Sequence, residues 1–166
     1  MDWDDNPKFD YELEPSRDIL CIDCKSFYSS VECVERGLNP LTTKLVVMSY
    51  PSDNPEERGS GLILASSPAA KREFGISNVS RARDLPFPYP PDLIIAPPRM
   101  RVYMQKNMEI NNIYRKYADE KNHSVFSVDE SFLDVTDSMK LYGCTTADQL
   151  ARLIQIDVWK QTGIYT

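Results

Sequence analysis

Residues 125–136, VFSVDESFLDVT, are the stretch that decides the fold. Two β-like arms, rich in apolar and β-branched residues, flank an acidic pair, Asp129 and Glu130, as in two strands joined by a tight turn. We therefore predict a β-hairpin that carries both carboxylates at its tip.

A third carboxylate follows an earlier apolar run. Ile19–Ile22 is typical of a buried strand, and Asp23 comes directly after it. If this strand neighbours the hairpin, Asp23, Asp129 and Glu130 lie together. Carboxylates held ~4 Å apart repel, so such a cluster needs shared protons or bound cations.

Oxygen ligands without His or Cys favour Mg²⁺ or Mn²⁺. Two such ions would clamp the attacking and leaving oxygens of an in-line phosphoryl transfer. The same spacing is equally compatible with carboxylates that cap turns and face water, so the residues alone leave both interpretations open.

The other elements follow from hydrophobic periodicity and from the residues that interrupt it. The runs 44–50 and 61–66 are predicted to pair as antiparallel strands across a polar loop, and a last strand is predicted to begin at Ile164. A proline-rich stretch before residue 99 separates two structural parts of the chain. Helices are predicted over residues 27–36, 68–74, 99–117 and 146–162.

The net charge of -6 over 166 residues, with a pI near 4.8, argues at face value against a nucleic-acid partner. The distribution of charge along the chain weakens that argument. Residues 1–18 hold seven acidic and two basic residues, whereas residues 69–116 hold nine basic and four acidic ones. An acidic leader therefore masks a basic middle. The sequence shows neither an apolar membrane span nor a secretory signal, so a cytoplasmic location is expected.

Four cysteines are too few for a disulfide scaffold. Cys21 and Cys24 form a CxxC, but they lie in an apolar strand whose positions three apart face opposite ways. A zinc knuckle needs a second ligand pair, which Cys33, Cys144 and His123 do not provide. We therefore predict that the cysteines are buried small apolar residues, and that His123 lies in a polar loop.

Three segments in order resemble the N-terminal motifs of the Y-family translesion DNA polymerases of the UmuC/DinB kind. They are DILCIDCKSFYSSVE (18–32), LASSPAAKREFGI (64–76) and FSVDESFLDVT (126–136), and the closing TGIYT also fits. The resemblance covers about residues 18 to 166. It implies template-directed nucleotidyl transfer that copies damaged DNA, in DNA repair and the SOS response.

The resemblance implies an α+β fold, in which a ferredoxin-like palm, a mixed sheet with helices, carries an inserted small α/β fingers lobe. On that pattern residues 19–27 and 99–166 are a partial palm, residues 28–98 are the fingers, and residues 1–18 are a leader. The chain is expected to stop before the end of the palm.

The resemblance also implies roles for individual residues. Asp23, Asp129 and Glu130 match the catalytic, metal-binding carboxylates, and the backbone carbonyl of Cys24 matches a further ligand. Tyr28 matches the steric gate that excludes a ribose 2′-hydroxyl. Contacts to the incoming nucleotide are implied for Phe27, Tyr28, Ser66 and Arg72. A core position in the helix is the alternative for Tyr28.

Two positions depart from the family pattern. Ala69 stands where many members have a tyrosine, which puts one phosphate contact in doubt and leaves open whether Lys71 replaces it. Lys25 stands where some relatives have an acidic residue, a position that need not be a ligand.

The cofactors implied are two Mg²⁺ ions, for which Mn²⁺ can substitute. The partners implied are primer-template DNA and a deoxynucleoside triphosphate, with a sliding clamp or recombinase reached through further C-terminal parts. Two alternatives remain: a non-catalytic module that binds metal and nucleotide, and a palm enzyme of the nucleotide cyclase kind. A cyclase that acts on ribonucleotides has no use for a steric gate at Tyr28.

Overall fold

The computed structural model describes residues 11–49 and 61–166, which form an α+β fold with two three-stranded sheets. The strands are β1 (Ile19–Asp23), β2 (Leu45–Met48), β3 (Ile63–Ser66), β4 (Ile94–Ala96), β5 (His123–Val125) and β6 (Glu130–Asp134). The helices are α1 (Phe27–Glu35), α2 (Pro68–Phe74), α3 (Met100–Tyr114) and α4 (Ala147–Thr162).

The first sheet has the strand order β1-β6-β5 and is antiparallel throughout. One face of this sheet is buried, because residues alternate along β6: Ser131 and Leu133 are buried, whereas Phe132 between them is exposed. The buried face belongs to a core that α3 and α4 complete with Tyr103, Ile110 and Ile154.

The second sheet has the order β3-β2-β4, with β2 antiparallel to β3 and parallel to β4. All four residues of β2 are buried, as expected for a central strand covered on both faces. A second, smaller core lies on one side of this sheet, where Val46, Met48 and Ile63 pack with Ala70 of α2.

Helix α1 connects the two sheets. It contacts β2, β3 and α3, and its buried residues Val31 and Cys33 belong to the same core as Leu45 of the second sheet and Leu133 of the first. The two sheets therefore share one continuous apolar core. Within the described residues, no helix has the length and apolar character needed to cross a membrane.

The predicted helices and the antiparallel pairing of β2 with β3 are confirmed, with helix ends shifted by up to three residues. The loop predicted between those strands lies largely outside the described residues. Helix α3 buries one face, on which Tyr103, Ile110 and Tyr114 lie.

Three predictions are wrong. The first hairpin arm is His123–Val125, so His123 lies in a strand and not in a polar loop. Cys21 is exposed on the open face of the first sheet, opposite the side that buries Ile22. No strand begins at Ile164; a backbone hydrogen bond from Lys25 N to Tyr165 O (2.8 Å) joins this segment to the residues before α1.

Candidate active site

A cavity of about 530 Å³ opens where three segments of the chain meet. They are the connection from β1 into α1, the β3–α2 unit, and the turn of the hairpin. Its volume falls in the range usual for small-molecule sites. The lining residues are Asp23, Cys24, Lys25, Ser26, Phe27, Tyr28, Leu64, Ala65, Pro68, Lys71, Arg72, Asn78, Val128 and Asp129.

Strand pairing brings the three acidic residues to one end of the first sheet. The register of β1 and β6 places Asp23 opposite Glu130. The pairing continues one step further, because Cys24 N donates to Asp129 O at 2.9 Å. The hairpin and β1 are therefore neighbours, as the clustering of the carboxylates requires.

The electrostatics of Asp23 reflect this clustering. Burial raises the pKa of its carboxyl, and the negative charges of Asp129 and Glu130 raise it further, while Lys25 and Lys71 act in the opposite direction. A carboxyl group whose ionisation is opposed by two neighbouring negative charges, as that of Asp23 is, is one whose charged form a bound cation would stabilise.

Ser127 holds the turn between the two strands. Its hydroxyl accepts from Glu130 N (3.1 Å) and lies within donating distance of Asp129 Oδ1 (3.0 Å) and Glu130 Oε2 (3.2 Å). One hydroxyl hydrogen serves two carboxylates, so only one of them is satisfied at a time. The sequence analysis missed this residue; its signal is a serine two positions before the acidic pair, which is typical of a side chain that closes a turn.

The donor set fits a hard divalent cation in its chemistry. All the candidate side-chain ligands are carboxylates, and the Cys24 carbonyl accepts no hydrogen bond from any described residue. Within residues 11–49 and 61–166, however, no three His, Cys, Asp or Glu side chains converge as a metal-binding group. The Asp129 and Glu130 carboxylates turn to Ser127 instead.

The start of α1 is fixed by its own serines. Ser26 has a left-handed backbone (φ 46°), which turns the chain sharply between Asp23 and the helix. Ser29 Oγ donates to Ser26 O at 2.9 Å, and Ser30 Oγ donates to Lys25 O. The turn places Tyr28, half-buried, in the cavity wall.

The residues predicted to contact a nucleotide divide into two groups. Phe27, Tyr28 and Arg72 line the cavity, and Arg72 also donates from Nη2 to Leu41 O at 3.3 Å. Ser66 is not among the lining residues. It is fully buried, and its hydroxyl has no hydrogen-bond partner in the described part of the chain.

Two further contacts escaped the sequence analysis. Asn107 Nδ2 on α3 donates to Val128 O at 2.6 Å and so secures the turn next to Asp129. Its signal is a polar residue on a helix face that is otherwise apolar and aromatic. Asn78 lines the cavity from the loop after α2, and nothing in the sequence pattern distinguishes it.

The fold falls into one class: an antiparallel sheet joined to a smaller α/β lobe matches the palm and fingers region of Y-family DNA polymerases. A Y-family DNA polymerase chimera of Dbh and Dpo4 superposes with a TM-score of 0.70 and 25% identity, over 89% of this chain and 40% of that chain. A post-insertion binary complex of Dbh DNA polymerase gives a TM-score of 0.66 and 26% identity, over 88% and 39%.

A family model described as the impB/mucB/samB family matches residues 22–166. The chain belongs to this family, the UmuC/DinB group of Y-family polymerases.

Relatives from Bacillus subtilis (strain 168) are consistent with this family assignment. UvrX, named for UV-damage repair, is 37% identical over 155 residues, which is 93% of this chain and 34% of UvrX. DNA polymerase IV 2 is 36% identical over 89% of this chain and 33% of its own length. The DNA repair protein homologue YozK is 39% identical over 72% of this chain and 98% of YozK. The chain thus spans about a third of the two long relatives and nearly all of the short one.

Proposed function

We propose that this chain is the palm and fingers part of a DNA-directed DNA polymerase that carries out translesion synthesis in DNA repair and the SOS response. The observation that carries the proposal is the β1–β6 register. It places Asp23 opposite Glu130, and the next backbone hydrogen bond joins Cys24 to Asp129. Asp23 and Asp129 line a cavity whose wall also includes Tyr28 and two phosphate-compatible cations, Lys71 and Arg72; Glu130 is not among its lining residues.

In the proposed site, Asp23, Asp129, Glu130 and the Cys24 carbonyl hold two Mg²⁺ ions, for which Mn²⁺ can substitute. When bound, such ions stabilise the charge that develops on the attacking and leaving oxygens. These ligands belong to the proposal; support comes from their all-oxygen chemistry and from the raised pKa of Asp23.

The other residues bind and select the nucleotide. The planar guanidinium of Arg72 suits a phosphate group, and Lys71 adds a point charge. Tyr28 excludes a ribose 2′-hydroxyl, and Phe27, which is 2% exposed, supports it from the core. For Ser66, a phosphate contact requires its buried hydroxyl to become exposed to the cavity.

We further propose that residues 19–27 and 99–166 are the palm and residues 28–98 the fingers. The first sheet falls within the former ranges and the second sheet within the latter. Primer-template DNA and a deoxynucleoside triphosphate are the proposed substrates, and the cytoplasm is the proposed location. A sliding clamp or recombinase is proposed as a partner of regions that the long relatives have beyond the match.

A second candidate function is a module that binds metal and nucleotide without catalysis. The observation that favours it is the length of YozK, of which 98% is covered by the match. A cyclase-like reaction is disfavoured by Tyr28 in the cavity wall, and primer-independent turnover of ATP or GTP would revive it.

Mutation of the acidic pair tests the site. We expect Asp129→Asn combined with Glu130→Gln to abolish Mg²⁺-dependent binding of a deoxynucleoside triphosphate, measured by calorimetry. Glu120→Gln, at an exposed acidic residue, is the matched control and is expected to bind normally. Primer extension is measured in parallel. Normal extension by the double variant contradicts the site, whereas nucleotide binding without extension by the 166-residue chain favours the second candidate.

A further inference from the structure

Two asparagines lie on the face of α3 that packs against the core. Asn111 is 6% exposed, and Asn107, one turn earlier, is half-buried. The two are joined, because Asn111 Nδ2 donates to Asn107 O at 2.9 Å. A buried amide costs stability unless its hydrogen bonds are made. Apolar packing therefore does not account for these residues, and their remaining partners do.

Asn111 is hydrogen-bonded to both strands of the β5–β6 hairpin. Its Oδ1 accepts from Ser131 Oγ of β6 at 3.0 Å, and His123 Nε2 of β5 lies 3.0 Å from the same oxygen. Because an amide oxygen only accepts, the ring nitrogen is the donor. The two strands pair over only three residues. One side chain of α3 thus contacts both strands of a short hairpin and fixes each relative to the helix.

Asn107 holds the turn of the same hairpin. Its Nδ2 donates to Val128 O at 2.6 Å, and Asp129 N, in the same peptide group, donates to Ser127 Oγ at 3.4 Å. This peptide group is therefore held at both its oxygen and its nitrogen. Because a peptide group is planar, the two contacts fix its orientation and with it the position of the Asp129 Cα. On the other side of Asp129, its carbonyl oxygen accepts from Cys24 N at 2.9 Å.

These hydrogen bonds fix what apolar packing leaves free. Packing of apolar side chains is non-directional and tolerates a small shift of the hairpin along α3. Hydrogen bonds weaken steeply as their angle changes, so the bonds from Asn107 and Asn111 oppose such a shift. A displacement of about 1 Å is enough to impair a functional site.

We propose that Asn107 and Asn111 are positioning residues that fix the hairpin on α3 and thereby keep Asp129 in place to bind a divalent cation. This inference rests on the proposed function, because it concerns the proposed metal ligands. Neither asparagine lines the cavity, and both act through the hairpin. Loss of either is expected to leave the chain folded but the acidic turn less well placed.

Four variants of the 166-residue chain separate positioning from bulk stability. Asn107→Leu removes the bond to the turn, and Asn111→Leu removes the bonds to the two strands. Ile110→Val destabilises the same helix at a buried position without removing a hydrogen bond, and Asn112→Leu replaces an exposed asparagine of α3. Asn107→Ala removes the same donor and takes the place of Asn107→Leu if that variant does not fold.

The first measurement is the dissociation constant of Mn²⁺, titrated alone and followed by electron paramagnetic resonance. One hydrogen bond of ordinary strength corresponds to binding weakened about three- to tenfold in Asn107→Leu. A smaller loss is expected for Asn111→Leu, and none for Ile110→Val or Asn112→Leu. Unchanged affinity in Asn107→Leu overturns the inference. So does an equal loss in Ile110→Val, because affinity would then follow stability alone.

The second measurement needs no metal. The amide resonances of Cys24 and Asp129 are expected to shift, and their hydrogen exchange to accelerate, in Asn107→Leu but not in Asn112→Leu. Unchanged shifts and exchange rates in Asn107→Leu overturn the inference. If the wild-type chain binds no Mn²⁺, the proposed metal site fails, and the two amides still decide whether the asparagines position the hairpin.

Discussion

Lys71 and Ala69 both lie in α2, but only Lys71 lines the cavity. Ala69 is buried and brings no polar group to the cavity. Lys71 is half-buried and lines the cavity, and its positive charge lowers the pKa of Asp23. It makes no salt bridge with another described residue. Its ammonium group is therefore available to a phosphate.

We predict that Lys71→Ala weakens the binding of a deoxynucleoside triphosphate by about three- to tenfold, the loss of one partly solvated charge-assisted contact. Its salt dependence should also become shallower. Lys140→Ala, at an exposed lysine outside the cavity, is the control. Calorimetric titration at two salt concentrations measures both effects, and equal affinities for Lys71→Ala and wild type would show that Lys71 does not face the phosphates.

At the scale of elements, the junction between α1 and the end of α4 depends on a glycine. Gly163 caps α4 with a left-handed backbone (φ 73°), and a Cβ placed there would lie 3.1 Å from Val34 Cγ2 of α1. The next residues reach Lys25, because Tyr165 O accepts its backbone N–H. The end of α4 thus supports the segment that carries Asp23 toward α1.

We predict that Gly163→Ala lowers the free energy of unfolding by more than Gly143→Ala does. Both glycines have positive φ, so both substitutions cost about 1 to 2 kcal/mol of backbone strain. Only Gly163 adds a steric contact, since nothing lies within 4 Å of a Cβ at Gly143. Urea denaturation of the two variants measures the difference. Equal decreases in the free energy of unfolding would show that α1 shifts away from the added Cβ without loss of stability.

The pairing of α1 with α3 gives the fold a dependence on pH. Burial raises the pKa of the Glu32 carboxyl of α1, but hydrogen bonds from Arg99, Arg36 and Tyr103 outweigh burial and lower it. The folded state therefore favours the charged form of Glu32 and gains stability above the ordinary value of 4.5. That contribution is lost as the pH falls through the lowered pKa.

We therefore predict that Glu32→Gln destabilises the chain by about 2 kcal/mol at neutral pH, the usual value of hydrogen bonds to a charged group. The difference from wild type should shrink as the pH falls below about 4.5, where Glu32 of the unfolded chain becomes protonated, and should be lost as the pH falls through the lowered pKa of the folded state. Thermal unfolding over roughly pH 3 to 7 measures the trend. A difference independent of pH would show that Glu32 contributes by packing alone.

At the scale of the whole molecule, the net charge of -6 is an average over segments of opposite sign. Residues 1–14 contain six acidic residues and one basic residue, a net of -5, so the rest of the chain has a net charge of -1. Arg17, which pairs with Asp134 and Asp137, lies outside this segment. The acidic segment can thus be removed without loss of that contact.

We predict that deletion of residues 1–14 strengthens the binding of primer-template DNA and that the gain disappears at high salt, because a net negative segment repels phosphates over a Debye length of ~10 Å at 0.1 M. Fluorescence anisotropy across a salt series measures it. A variant in which the acidic residues of this segment are replaced by their amides distinguishes the effect of its charge from that of its length. An affinity for primer-template DNA that is unchanged in the deletion and in the amide variant would contradict electrostatic masking.

Much of the fold is local enough to be predicted. The helices α1, α2, α3 and α4 have caps and apolar spacings that belong to consecutive residues, and the pairing of β2 with β3 follows from their closeness in the chain. His123 and Cys21 were misjudged because exposure and strand membership depend on what packs from elsewhere. His123 joins β5 through its pairing with Leu133, and Cys21 lies on a sheet face that α3 and α4 do not cover.

The sequence by itself determined the family motifs, the helices and the acidic residues that end β1 and begin β6. Each of these features depends on the identity of a few consecutive residues. Only the tertiary structure decided that Asp23 lies opposite Glu130, that Ser66 is buried, and that Tyr103 stacks on Tyr28 and reaches Glu32. These contacts join residues that are distant in the chain. Strand register and helix packing bring them together, and these depend on the shape of the whole core rather than on any local pattern.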